Sequence, residues 1–265
     1  MNTTINGIEI YYEDSGKSTA LPIVLIHAFP LNHEMWEPQI KRLQSQFRVI
    51  TYDVRGHGKS AIGDGQYMLE FFVDDLIGLL DFLRMNKVIL CGLSMGGYIA
   101  LRTVERDPER VSALVLADTQ SRQDSNESRL KRAAAINSLK MKGLKPYADD
   151  FVKGAFAPEN FNGKPDAVEK VRQIIQSNMT LGIAGALLAL ATRTDTTEFL
   201  SKIKIPTLIF VGDNDTITPI SLSKEMHDRI TSSEMHIIEH AGHMSNLENP
   251  DQFNEYVLNF LNKLV

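Results

Sequence analysis

The sequence predicts an α/β fold, with a mostly parallel central sheet flanked by helices and interrupted by one inserted helical segment. Three observations lead there. Apolar runs such as Pro22-Ile23-Val24-Leu25-Ile26, Val88-Ile89-Leu90-Cys91 and Leu208-Ile209-Phe210-Val211 lack polar alternation, the pattern of strands buried on both faces. Between such runs stand stretches with apolar residues at helical spacing, as at Leu69, Phe72, Leu76, Leu79, Leu80 and Leu83. From 119 to 199 this alternation stops: a polar opening, Ser121 to Ser128, leads into helix-prone sequence without a strand-like run. That is too long for a loop and reads as a cap of several short helices. The expected organisation is therefore a core of 1–118 and 200–265 with a helical cap over 119–199.

Taken in order, Asn6-Gly7 between Thr4-Ile5 and Ile8 to Tyr12 is the preferred dipeptide of a type I′ hairpin turn. The strand at 22–26 leads into His27-Ala28-Phe29-Pro30. A helix is expected over 35–46 and a strand over 48–52, ending at Asp53. Arg55-Gly56-His57-Gly58-Lys59-Ser60 lacks the spacing of a phosphate loop. The helix over 67–85 carries Asp74, Asp75 and Asp81 off its apolar stripe, so these acids are expected in solvent. After the strand at 88–92, Gly-Leu-Ser-Met-Gly-Gly passes into a helix that stops near Asp107-Pro108, because proline restricts the residue before it. The strand at 111–117 delivers Asp118 to its carboxyl end, the edge where open α/β sheets place ligands. Beyond 199, the strand at 206–212 delivers Asp213-Asn214-Asp215. The last strand, over 234–239, is followed by His240-Ala241-Gly242-His243. Asn249-Pro250-Asp251 then opens a closing helix with Phe253, Val257, Phe260 and Leu261 inward.

Composition narrows the function classes. A net charge of -5 gives no basic footprint for nucleic acid. The start, Met1 to Gly7, has neither a basic nor an apolar run, and the apolar stretch 181–190 is too short to cross a bilayer, so a cytoplasmic protein without a membrane partner is expected. One cysteine, Cys91, excludes an internal disulfide and a multi-cysteine metal site. It stands in a buried strand and reads as a small core residue.

The chemistry-bearing stretch is Gly92-Leu93-Ser94-Met95-Gly96. A serine on a sharp strand-to-helix turn projects its Oγ above the sheet edge, and flanking glycines let strand and helix approach. Ser94 is therefore the candidate nucleophile.

This stretch resembles the nucleophile elbow of the α/β-hydrolase superfamily. His27-Ala28-Phe29-Pro30, Asp53 to Ser60, Gly212-Asp213-Asn214-Asp215 and Ala241-Gly242-His243 agree with that family in the same order. Within it, the chain is most similar to small esterases and 3-oxoadipate enol-lactonase-like hydrolases. His27 to Leu31 with Met35-Trp36, and Arg193-x-Asp195 before Ile205-Pro206, carry that placement.

The resemblance implies the α/β-hydrolase fold, Asp215 as the acid, His243 as the base, and the N–H groups of Phe29 and Met95 as an oxyanion hole. Serine, acid and histidine follow in the chain order of this fold. Asp118, from its place at the sheet edge, is the rival acid. Many family members have glycine where this chain has Ala28, and an ordinary backbone is expected there. His27 reads as a structural residue beneath the loop, His57 as non-catalytic, His240 as a bystander and Asp213 as a loop or capping residue.

The expected activity is hydrolysis of a small-molecule carboxylic ester or lactone through an acyl-enzyme, with no metal or organic cofactor required. Alternatives are perhydrolysis or C–C bond hydrolysis by the same triad, or a hydrolase-fold receptor for a small ligand. Acyl and alcohol selectivity is assigned to the inserted segment.

Overall fold

The structure is a computed structural model that describes residues 1–65 and 67–264. Its strands are β1 (Asn2–Ile5), β2 (Ile8–Ser15), β3 (Pro22–Ile26), β4 (Arg48–Tyr52), β5 (Val88–Leu93), β6 (Val111–Ala117), β7 (Thr207–Gly212) and β8 (Ser233–Ile238). They form one sheet in the order β1-β2-β4-β3-β5-β6-β7-β8. β2 runs antiparallel to β1 and to β4, while every other pairing is parallel. The turn between β1 and β2 has positive φ at both Asn6 and Gly7, as a type I′ turn requires.

The helices are α1 (Glu37–Leu43), α2 (Leu69–Phe82), α3 (Met95–Arg106), α4 (Asn126–Lys142), α5 (Leu144–Ala155), α6 (Asn160–Gly163), α7 (Pro165–Ser177), α8 (Thr180–Ala191), α9 (Ile220–Arg229), α10 (Ser245–Glu248) and α11 (Pro250–Leu261). Strand alternation separates two apolar layers. Val24, Ile26, Leu90, Leu114 and Ile209 point to the side that buries Leu76 of α2 and Ile99 of α3. Ile23, Leu25, Ile89, Val115 and Phe210 point to the opposite side, with Leu43 of α1 and Phe253 and Val257 of α11. Apolar residues on both faces explain the unbroken runs in β3, β5 and β7.

Two details differ from the sequence expectation. The helix expected over 35–46 begins as a 3-10 turn at His33–Trp36 and becomes α1 only at Glu37. Pro38 accounts for this, since proline fits an α-helix only in its first turn. Asp75, expected in solvent, is 1% exposed. Its carboxylate accepts from Arg55 Nε at 2.6 Å and Nη2 at 2.7 Å, and from Asn6 Nδ2 at 3.2 Å. A bidentate guanidinium from an earlier turn of the chain makes burial of this acid tolerable, and helical periodicity gives no sign of it.

Between β6 and β7 stand α4 to α8, with no strand among the described residues. Ile183 and Leu187 of α8 join the first apolar layer, and Val152 of α5 and Val171 of α7 join the second. α7 and α8 meet at a bend of 100°, and among the described residues no single helix is long and apolar enough to cross a membrane.

Candidate active site

β5 ends where the chain must turn sharply into α3, and Ser94 takes φ 53° and ψ -111° to do so. Two glycines make the turn possible. A Cβ on Gly92 would lie 2.2 Å from the Gly96 backbone, and one on Gly96 would lie 2.1 Å from the Ile26 carbonyl oxygen, so neither position admits a side chain. The turn is pinned to the end of β6 by the Ser94 N–H donating to the Ala117 carbonyl at 2.9 Å, and to the loop after it by Thr119 Oγ1 donating to the Ser94 carbonyl at 2.8 Å. The backbone strain is thus held by the end of β6 and the loop after it, a pattern that recurs at functional sites.

Ser94, Phe29, Met95 and His243 line one cavity of about 160 Å³. Tyr98, Ile217 and four residues from between β6 and β7, Arg132, Tyr147, Phe151 and Leu190, complete its wall. Met95 is the first residue of α3, so its N–H is one of the donors that a helix leaves unpaired at its amino end, where the helix dipole favours negative charge. Among the described residues no internal acceptor takes the Phe29 N–H. Ala28 stays out of the left-handed region, so alanine is unstrained there, and its N–H donates to Met35 Sδ at 3.2 Å.

Behind the cavity, His243 Nδ1 lies 2.8 Å from Asp215 Oδ2 and 3.2 Å from Thr218 Oγ1. The carboxylate can only accept, so Nδ1 carries the proton and Nε2 is the lone-pair nitrogen. Asp215 is held in place by the N–H groups of Ile217 at 2.8 Å and Thr218 at 2.9 Å and by the Thr218 hydroxyl at 2.6 Å. Thr218 lies two residues before the start of α9, and no local pattern in the sequence signals its role. Burial pushes the Asp215 carboxyl up, but the charge and hydrogen bond of His243, together with the hydrogen bonds from Thr218, leave the acid below its ordinary value. Burial likewise pulls His243 down, yet Asp215, followed by the charges of Asp118 and Glu248, carries the imidazole above its ordinary value.

Asp118 is equally buried but faces elsewhere. Its Oδ1 accepts the Gly212 N–H at 2.9 Å and its other oxygen is hydrogen-bonded to Ser245 Oγ, so it ties the end of β7 to α10. Burial, then the neighbouring Asp215 charge, raises its carboxyl well above the ordinary range. The other residues singled out in the sequence lie outside the cavity wall. His27 Nε2 accepts the Val54 N–H at 2.9 Å, and burial pulls its imidazole down to about 4. His57 packs edge-on against His27 and is pulled down to about 3 by burial. Asp213 accepts from the N–H groups of His240 and Ala241, and His240 is exposed.

Arg132 is the charged side chain of the cavity wall apart from the histidine. It shares Asp124 with the buried Arg193, whose guanidinium lies 4.3 Å from the Tyr98 ring centroid. Nothing in the sequence indicated this pairing, because its three members are spread from 124 to 193.

Comparison with known proteins agrees with the fold. A family model described as alpha/beta hydrolase fold matches residues 22–250. The chain is 30% identical to 3-oxoadipate enol-lactonase 2 of Acinetobacter baylyi, over 96% of this chain and 93% of that protein. It is also 30% identical to a non-heme chloroperoxidase of Kitasatospora aureofaciens, over 98% of each chain. Among solved structures it superposes on a thermophilic esterase from Thermogutta terrifontis, determined with malate bound, with a TM-score of 0.94 at 36% identity, covering 99% of this chain and 96% of that one. The eight-stranded sheet with its serine turn and this match along most of the sequence together make the chain a member of the α/β-hydrolase superfamily, similar to the enol-lactonases and esterases within it.

Proposed function

We propose that this enzyme, a carboxylic-ester hydrolase, cleaves a small ester or lactone with Ser94 as nucleophile, His243 as base and Asp215 as the acid that orients it. The observation that carries the reading is the 2.8 Å contact of His243 Nδ1 with Asp215, behind a cavity that His243 lines together with Ser94. Ser94 Oγ attacks the carbonyl carbon and gives its proton to His243 Nε2, while the carbonyl oxygen becomes an oxyanion facing the N–H groups of Phe29 and Met95. Two such donors in a dry site are worth about 3 to 4 kcal/mol each. Collapse of the tetrahedral intermediate breaks the bond to the alcohol oxygen, which takes the proton from His243. Water, deprotonated by His243, then attacks the acyl carbon and restores Ser94. In a lactone both products stay joined as one hydroxy acid.

Residues 119–199 act as a cap on the core of 1–118 and 200–265. Arg132, Tyr147, Phe151 and Leu190 reach the cavity from this segment, which supports assigning selectivity to it. A screen of esters and lactones of increasing size, with Ser94→Ala as the blank, tests the reading: turnover that survives in the folded variant sinks it.

The likeness to a non-heme chloroperoxidase favours a second reading of the same site, in which hydrogen peroxide replaces water on the acyl-enzyme and releases a peracid. Product analysis with hydrogen peroxide present separates the two, since hydrolysis alone yields only the carboxylic acid.

A further inference from the structure

The helical insert and the loop that carries His243 meet at one buried carboxylate. Glu248, the last residue of α10, is 2% exposed and accepts four hydrogen bonds. Its Oε1 takes the N–H groups of Gly242 at 2.8 Å and Met244 at 3.2 Å, the two amides that flank His243. Its Oε2 takes the Ala157 N–H at 2.8 Å and Asn160 Nδ2 at 2.7 Å, both from where α5 gives way to α6.

The two backbones are pressed together around this carboxylate. The His243 N–H donates to the Ala155 carbonyl at 2.7 Å, and Asn160 Nδ2 also reaches the His240 carbonyl at 2.8 Å. A Cβ on Gly242 would lie 2.7 Å from the Ala157 nitrogen and 2.8 Å from the Ala155 oxygen. α5 runs directly into this junction and supplies Tyr147 and Phe151 to the cavity wall.

We propose that Glu248 is a positioning residue: its carboxylate sets the loop of the base in register with the segment of the insert that walls the substrate cavity. The inference rests on the reading of His243 as base and extends it to the question of what holds base and wall at a fixed separation. All four partners of Glu248 are N–H donors, so a group that only accepts is required and the ionised form fits. The charge has a second effect. It adds to those of Asp215 and Asp118 in favouring the imidazolium that forms when His243 takes the serine proton. A base displaced by even an ångström loses rate far out of proportion to the shift.

Glu248→Gln keeps the size of the side chain but turns one end into a donor, which then faces N–H groups at either Gly242 and Met244 or Ala157 and Asn160. We expect kcat for a neutral ester to fall about 10- to 100-fold with KM within a few-fold of wild type, and the acid limb of kcat/KM to move to lower pH. NMR titration of the His243 imidazole, assigned by its loss in His243→Gln, should show the same downward shift without reliance on turnover. Asn160→Ala removes the side-chain bonds from the insert to Glu248 and to the His240 carbonyl, leaves the Ala157 N–H on Glu248 and the Glu248 charge in place, and should lower kcat by about three-fold or more without moving the titration of His243.

A Glu248→Gln enzyme that melts earlier but keeps wild-type kcat and the same His243 titration would show the carboxylate to be structural only. Wild-type kcat and KM in both Asn160→Ala and Glu248→Gln would remove the registering role. If Ser94→Ala is inactive while both variants behave as wild type, the inference fails and the hydrolase reading stands. If Ser94→Ala retains turnover, the hydrolase reading itself fails.

Discussion

At the scale of single residues, the site is defined by which carboxylate meets the imidazole. Asp215 Oδ2 is 2.8 Å from His243 Nδ1, whereas Asp118 spends its oxygens on the Gly212 N–H and the Ser245 hydroxyl. Asp215→Asn can present an amide N–H to Nδ1 and stabilise the wrong tautomer, so kcat should drop on the order of 10⁴, the loss known for the corresponding change in the serine-protease triad. Asp118→Asn retains an oxygen for Gly212 and a donor for Ser245, and should cost no more than about ten-fold. Steady-state kinetics on the two variants decides: greater damage from Asp118→Asn would transfer the acid role to it. Ser94 adds a second residue-level expectation. Its φ of 53° is a conformation that glycine adopts freely and alanine does not. Both Ser94→Ala and Ser94→Gly should abolish turnover, but Ser94→Gly should melt at or above Ser94→Ala, reversing the usual order, because strain of about 1 to 3 kcal/mol is relieved only by glycine.

At the scale of elements, the fold is a sheet whose strand ends and helix starts are squeezed together at the serine turn. Gly96 of α3 lies against the carbonyl of Ile26 at the end of β3, with no room for a methyl group. Gly96→Ala should therefore push α3 off β3 and cost about 1 to 3 kcal/mol, as overpacking does. A fall in Tm with loss of turnover is expected, and a wild-type Tm would contradict the packing described. The Asp75–Arg55 pair bridges α2 and the turn after β4 in the same way, buried at 1% and 3% exposure. Asp75→Ala removes one side of this buried pair and should cost about 3 to 5 kcal/mol, read by denaturant unfolding. These elements differ in how visible they are in the sequence. β3, β5, β6 and β7 are legible as apolar runs because both their faces are covered, and the glycines around Ser94 are legible because no other residue fits. Asp75 is not, since a helical pattern reports which face turns inward but not that a distant arginine will neutralise an acid on it.

At the scale of the molecule, the charge on His243 is set by segments far apart in the sequence. The strand ends of β6 and β7 bring Asp118 and Asp215, α10 brings Glu248, and all three favour the imidazolium against burial, which opposes it. The candidate nucleophile is marked by its own neighbours, but this field is not, because it exists only once four chain segments converge. Arg132 and Tyr147 are invisible for the same reason: no local pattern marks a residue that reaches the cavity from between β6 and β7. The convergence makes a prediction about pH. A base must be neutral to accept the serine proton, and His243 is raised above the ordinary histidine value of about 6.5. Activity is then present above the raised value and lost as pH falls through it, so the acid limb of kcat/KM for a neutral ester should have its midpoint above about 6.5. Below the midpoint the rate should fall about ten-fold per pH unit, as for a single titrating base. His240→Gln, exposed and outside the cavity wall, should leave the curve where it is, whereas His243→Gln should leave no measurable rate. A midpoint well below about 6.5 would mean that burial outweighs the three carboxylates, and an unchanged limb in His243→Gln would assign the proton to another group.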